Sequence, residues 1–309
     1  MFVYSAHYDL NWPGHVFPTE KYRLVFAELL RRGTARADEV VEPGPVSEDD
    51  LLLVHEKRYL RRMDRLSGTP MAAIWEFEAP LYPKTLSAFY RMTQGTVTAG
   101  RNAIEGRTIW VNIGGGFHHA FPDHGEGFCL LNDVAVAVRV LRRDGLARRA
   151  LIVDCDLHQG NGTAYIFRDD ADVFTFSIHQ ERLYPVPKMR SDLDVGLDEG
   201  TGDEEYLKRL REGLDVAFDG RSFDVLFYLA GADPYERDRL GSLRLSKKGL
   251  AERDRVVFER AGAAELPTAV TLAGGYATDV EDVVEIHHNT CRLAKEYARR
   301  RHSRSVGQS

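Results

Sequence analysis

Cysteine is scarce in this sequence. There are three, Cys129, Cys155 and Cys291, in 309 residues. They are too few and too scattered for a disulfide framework, and none sits in a C-x-x-C pair. A reducing, cytoplasmic compartment is the expectation that follows. No apolar run approaches the ~20 residues that a membrane-spanning helix needs. The opening Met-Phe-Val-Tyr-Ser soon meets His7 and Asp9, so neither the basic nor the apolar stretch of a secretory leader is expected there. Excess positive charge is missing too. A formal net charge of −6 provides no global basic field for nucleic acid. Repeats and low-complexity blocks are also absent.

What remains is 43% hydrophobic and 28% charged, the balance of a globular enzyme with a full core. Short apolar runs alternate with charged helical stretches, which suggests βαβ units and a parallel sheet. Buried strands are expected at 108–113, 150–154, 173–178, 225–230 and 269–273, each short and rich in β-branched or aromatic residues. Helices are expected at 21–32, 84–104, 133–143, 203–218, 247–264 and 280–299. The basic, polar stretch 299–309 reads as a disordered, solvated tail after a catalytic domain at 1–298.

Every unusual polar cluster directly follows one of these strands. In open parallel sheets ligands bind beyond the carboxyl ends of the strands, so the clusters describe one site built from many segments. Asp154-Cys-Asp156-Leu-His158 places two carboxylates and an imidazole on one side of an extended segment, a donor set suited to zinc or a similar divalent ion. Taken alone, it fits a strand end capping a helix, with His158 on the surface, equally well. Asp233, in Gly231-Ala-Asp233-Pro, adds a third donor and leaves a position open for water, the pattern of catalytic zinc; alone it is an ordinary turn residue.

Gly114-Gly-Gly-Phe-His118-His119 sets two imidazoles after three glycines that let the backbone approach a ligand, and imidazoles there can serve as base and acid. His287-His288 lies within an expected helix and reads as surface or helix packing. Tyr276, after Gly274 and Gly275, can donate to a developing oxyanion; alone it is a half-buried aromatic with a wet hydroxyl. Asn132 or Asp133 is the N-cap of a helix, and Phe128 lines a narrow channel or packs in the core.

In this order, G-G-G-F-H-H-A, G-F-C-x-x-N-D, D-x-D-x-H-x-G-N-G-T, S-I-H, A-G-A-D-P and G-G-Y resemble the motif set of the zinc-dependent histone deacetylases, from about His7 to about Leu293. The look is nearest the class IV branch, on H-Q-G-N-G at 158–162, the stretch Gly200–Leu207 and Asp238-Arg-Leu-Gly241. Prokaryotic deacetylase-like and acetoin-utilisation proteins share the core motifs. The resemblance implies a single α/β domain with an eight-stranded parallel sheet flanked by helices on both faces, shared with arginases.

It further implies Asp156, His158 and Asp233 as ligands of one Zn2+. His119 becomes the base and acid, His118 a charge stabiliser held by Asp154, and Tyr276 the oxyanion donor. Gly127 and Phe128, with Gly274 and Gly275, would contact substrate. A structural K+ or Na+ would lie near Asp154 and Ser177. Asn161 stands where some members place an aspartate behind the second histidine; it can hydrogen-bond His119 but cannot stabilise its cation as a carboxylate would. The rim at 71–83 departs from the family pattern, and Tyr184 is the candidate for the second channel wall.

The implied activity is hydrolysis of an acyl amide by a metal-activated water, on an acylated lysine of a peptide or protein, with acetyl or a longer acyl group. An acetylpolyamine or another small amide is an alternative, as is a non-catalytic acyl-lysine-binding protein. An arginase-like dinuclear centre would need more carboxylate and histidine donors than these loops hold. Cys155 is too hemmed in by the metal ligands to be a nucleophile. No nucleic-acid partner is expected, and nothing marks an oligomer interface.

Overall fold

The computed structural model describes the backbone of residues 1–306 and side chains through Arg301. Eight strands form one sheet: β1 (Phe2–Val3), β2 (Val40–Val41), β3 (Ile109–Asn112), β4 (Ala150–Asp154), β5 (Val173–Gln180), β6 (Leu193–Leu197), β7 (Val225–Leu229) and β8 (Thr268–Thr271). Their order is β2-β1-β3-β8-β7-β4-β5-β6, and every pairing is parallel. β4 and β7 are buried at every position, as strands covered on both faces must be.

The five expected strands are the contiguous centre of this sheet. The three found only in the structure, β1, β2 and β6, lie towards its edges. β1 and β2 have two residues each, too few to show a period. Two groups of helices flank the sheet. Pro83–Glu105 packs on Asp133–Arg143, while Lys21–Arg31, Val280–Val306, Lys247–Ala263 and Asp203–Phe218 pack in succession.

The last helix continues to Val306, past Arg299, where the sequence reading placed the start of a disordered tail. Arg301 is partly buried, and its guanidinium donates to the Leu266 carbonyl at 2.8 Å, an anchor that a polar composition does not reveal. Residues 307–309 lie outside the described residues. Among the described residues no helix is long and apolar enough to cross a membrane.

The topology positions the site. β3, β8, β7 and β4 are neighbours in that order, yet they come from distant parts of the chain. Their carboxyl ends therefore converge. The loops after them carry His118 and His119, Gly274 to Tyr276, Asp233, and Asp156 with His158 respectively, Asp154 being the last residue of β4.

Candidate metal centre and active site

Asp156, His158 and Asp233 each offer a donor atom, all within 4.8 Å of one another, and all three residues are buried. Hydrogen bonds pin the two carboxylates. Asp156 Oδ2 accepts from the Gly274 N–H at 2.8 Å, and its Oδ1 accepts from the His158 N–H at 3.0 Å. Asp233 Oδ1 accepts from the Leu157 N–H at 3.0 Å. Asp233 Oδ2 is buried without a hydrogen-bond partner, although His158 Nδ1 stands 3.4 Å away. A buried carboxylate oxygen left unbonded is costly, and a cation at this point would satisfy it. Burial and the neighbouring Asp156 raise the pKa of Asp233. Burial opposes the His158 cation, but the adjacent Asp156 and Asp233 carboxylates prevail and raise its pKa. Two carboxylates and an imidazole share one small buried volume, and this donor set suits a divalent ion such as zinc.

The tandem histidines are buried at 3% and 4% exposure but sit in opposite electrostatic settings. His118 Nδ1 donates to Asp154 Oδ2 at 2.7 Å. Burial works against its cation, yet the Asp154 and Asp156 carboxylates outweigh that and raise its pKa to about 9. His119 Nδ1 donates to Asn161 Oδ1 at 2.7 Å. Burial, and then the adjacent His118 and His158, hold its pKa well below the ordinary range. One imidazole is built to keep a proton and the other to stay neutral, the division that acid–base chemistry requires.

Phe128 and Gly127 are held in an unusual turn. Both have positive φ, 65° and 55°, and the Cys129 N–H bonds the Glu126 carbonyl at 2.9 Å, which makes a type I′ turn. Left-handed backbone is unfavourable for a bulky residue. Here it turns the Phe128 ring onto His15, with centroids 4.9 Å apart, and brings it within 6.1 Å of Tyr276. The Tyr184 ring lies 5.0 Å from His119 and 6.1 Å from His158. The Tyr184 hydroxyl is buried and without a partner. The segment 71–83 reaches this opening through Glu78, whose carbonyl is 3.1 Å from His15 Nε2, and Trp75 stands 94% exposed on it.

Several further residues hold the site together; sequence reasoning missed Arg253 and Lys21 and the roles of Asp238 and Asp133, while the N-cap was among its candidates. Asp238 Oδ2 accepts from the Tyr276 N–H at 2.7 Å. Arg253, fully buried, donates to the Gly231 and Cys155 carbonyls, bracing both metal-donor loops, and pairs with Asp254 at 2.8 Å. Asn132 is the N-cap, its side chain accepting from Ala135 N–H. Asp133 instead takes the Gly116 and Phe117 N–H groups at 3.0 and 2.7 Å and shapes the histidine loop. Lys21 is wholly buried and donates to the Ala273 carbonyl at 2.6 Å. Burial lowers its pKa to about 8 against the pull of Asp233 and Asp156.

His287 and His288 are 0% and 3% exposed, so of the two readings, surface or helix packing, it is packing within the last helix that holds. Ser177 bonds His179 at 2.9 Å and lies beside the site on β5. Cys155 is fully buried, and burial lifts its pKa to about 12, which disfavours the thiolate a nucleophile would need. All three cysteines are free.

Comparison with known proteins adds an independent line. The histone deacetylase domain family model matches residues 15–291. The chain is 41% identical over 298 residues to an uncharacterized protein of Picosynechococcus, covering 95% of this chain and 98% of that one. It is 34% identical over 289 residues to histone deacetylase 2 of Arabidopsis thaliana, covering 89% and 74%. The crystal structure of a histone deacetylase homologue from Aquifex aeolicus superposes with a TM-score of 0.82 at 22% identity, covering 96% of this chain and 83% of that one.

Proposed function

Because the chain belongs to the histone deacetylase family, we propose that it is a zinc-dependent deacylase that hydrolyses the acyl amide of an acylated amine, an acyl-lysine side chain foremost. The observation that carries this reading is the buried, unbonded Oδ2 of Asp233 beside His158 and Asp156. Those three residues would hold the ion. A bound Zn2+ supplies Lewis acidity and an activated water at neutral pH.

The protein's own groups account for the rest. His119 donates through Nδ1 to Asn161, so its Nε2 carries the lone pair and can take a proton from the attacking water. The same nitrogen then passes that proton to the leaving amine. His118, whose cation Asp154 favours, stabilises negative charge on the acyl oxygen. The Tyr276 hydroxyl donates to that oxygen as it becomes an oxyanion, while Asp238 and Arg239 fix the backbone of Tyr276 from behind. Phe128, Gly127, Phe17 and Tyr276 line a slender aromatic passage suited to an alkyl stem, with Tyr184 the candidate for its second wall. Gly274 keeps the floor clear of a side chain, since an added Cβ would stand 2.1 Å from Asp233 Oδ2; Gly275 is kept in the reading as a substrate-contacting residue.

The reading includes a structural K+ or Na+ near Asp154 and Ser177, residues paired in register across β4 and β5. Stripping the protein with a chelator and restoring Zn2+ tests the proposal. Amide hydrolysis should vanish and return with the ion, and His119→Ala should have none in either state. Metal-independent hydrolysis, or hydrolysis that survives His119→Ala, would refute it.

A further inference from the structure

Asn161 behind His119 poses a chemical problem. A carboxylate can only accept from the imidazole, but a carboxamide has an accepting end and a donating end of nearly the same shape. If Oδ1 faces His119, the ring holds its proton on Nδ1 and Nε2 is free to act as a base. If the NH2 faces His119, the ring must present a lone pair at Nδ1 and carry its proton on Nε2, where no proton can be taken up. The choice of amide end therefore decides whether His119 can function at all.

Glu126 resolves this. Asn161 Nδ2 donates to Glu126 Oε1, while Asn161 Oδ1 accepts from His119 Nδ1 at 2.7 Å. An ionised carboxylate has no hydrogen to give, so it bonds only the NH2 end. The type I′ turn through Gly127 and Phe128 holds Glu126 there. The same turn packs Gly127 closely on the imidazole, where an added Cβ would stand 2.4 Å from His119 Cδ2. One turn thus presents the passage wall through Phe128, packs on His119 through Gly127 and orients the Asn161 amide through Glu126.

We infer that Glu126 is a positioning residue that selects the Nδ1–H form of His119 by fixing which end of the Asn161 amide faces the ring. This rests on the reading of His119 as the general base. Supporting groups of this kind contribute about 10- to 100-fold in activity.

The test combines Glu126→Gln, Glu126→Ala, Asn161→Asp and the double variant Glu126→Ala/Asn161→Asp. Glu126→Gln keeps the shape but offers either amide end, so kcat should fall about tenfold with KM little changed. Glu126→Ala should fall further. Asn161→Asp should also lose activity, because its carboxylate would abut that of Glu126. The double variant should recover most of the lost kcat, since the new aspartate accepts from His119 with no opposing charge.

Nitrogen-15 NMR of labelled histidines, with His119 assigned through His119→Gln, reads the tautomer directly and needs no turnover. Nδ1–H is expected in the parent and a growing share of Nε2–H in the two Glu126 variants. If the parent turns over no amide, the deacylase reading fails while the spectrum still decides this inference. Losses that multiply in the double variant, or an unchanged His119 tautomer in Glu126→Gln, would overturn it.

Discussion

Replacing Gly274 with alanine adds one methyl group at the point where the three donor residues meet. The Cβ would stand 2.1 Å from Asp233 Oδ2 and 2.6 Å from Asp156 Oδ2. Backbone geometry is not the obstacle, because Gly274 does not occupy the left-handed region. The carboxylates themselves must give way, and each is tethered. Leu157 N–H holds the other oxygen of Asp233 at 3.0 Å, and His158 N–H holds the other oxygen of Asp156 at 3.0 Å.

To reach ordinary contact, Asp233 Oδ2 must retreat by more than an ångström, well beyond the ~0.2 Å latitude of a metal–ligand distance. Zinc affinity should therefore fall by at least the ~10- to 100-fold seen when a ligand is misoriented. The apo fold should lose only the ~1–3 kcal/mol typical of overpacking. A chelator-competition titration for Zn2+, run beside urea unfolding of the metal-free proteins, separates the two effects. Wild-type zinc affinity in Gly274→Ala would refute the placement of the ion among these three residues.

Other predictions follow from the same geometry. Tyr276→Phe should lower kcat by about 100- to 1,000-fold, as expected for one oxyanion donor. Its Tm should be unchanged, because the ring contacts to Phe17 and Phe128 do not involve the hydroxyl. Arg253→Met removes one partner of a fully buried ion pair and should destabilise the fold by about 3–5 kcal/mol in urea unfolding; an effect near zero would contradict its bracing of the donor loops. His55 donates through Nδ1 to the Phe121 carbonyl and accepts the Asn132 N–H at Nε2, and burial lowers its pKa from 6.5 to about 4. Between those values the unfolded chain binds a proton that the folded chain refuses, so stability falls as pH drops, by up to ~1.4 kcal/mol per pH unit from this site. His55→Gln should show a shallower acid slope of unfolding free energy, and an identical slope would refute the assignment.

The sequence discloses those parts of the fold where local pattern and burial agree. β3, β4, β5, β7 and β8 are apolar runs because they are covered on both sides, and the donors after them stand out as polar residues with no local structural purpose. Residues whose role is set only by packing stay hidden. Helix Lys57–Ser67 buries Tyr59, Leu60 and Met63 within a stretch so charged that it reads as surface. Lys21 opens a helix like any solvated lysine, yet the aromatic shell of Phe17, Tyr22 and Tyr276 encloses it. Arg253 and Asp254 are adjacent charges on a helix, and nothing local marks them as a buried pair. Asp238 did carry a signal in its Asp-Arg-Leu-Gly context, though its bond to the backbone of Tyr276 required the fold. Glu126 is unremarkable in sequence because its importance depends on Asn161, which is distant along the chain.

The most direct test of the central claim is turnover of a panel of acyl-lysine peptides, from acetyl to myristoyl, with acetylpolyamines alongside. Zinc-loaded protein would be compared with Tyr276→Phe and His119→Ala. The account predicts hydrolysis of at least one acyl-lysine member, abolished by His119→Ala and strongly reduced by Tyr276→Phe. With zinc confirmed bound, failure to hydrolyse any member would contradict it.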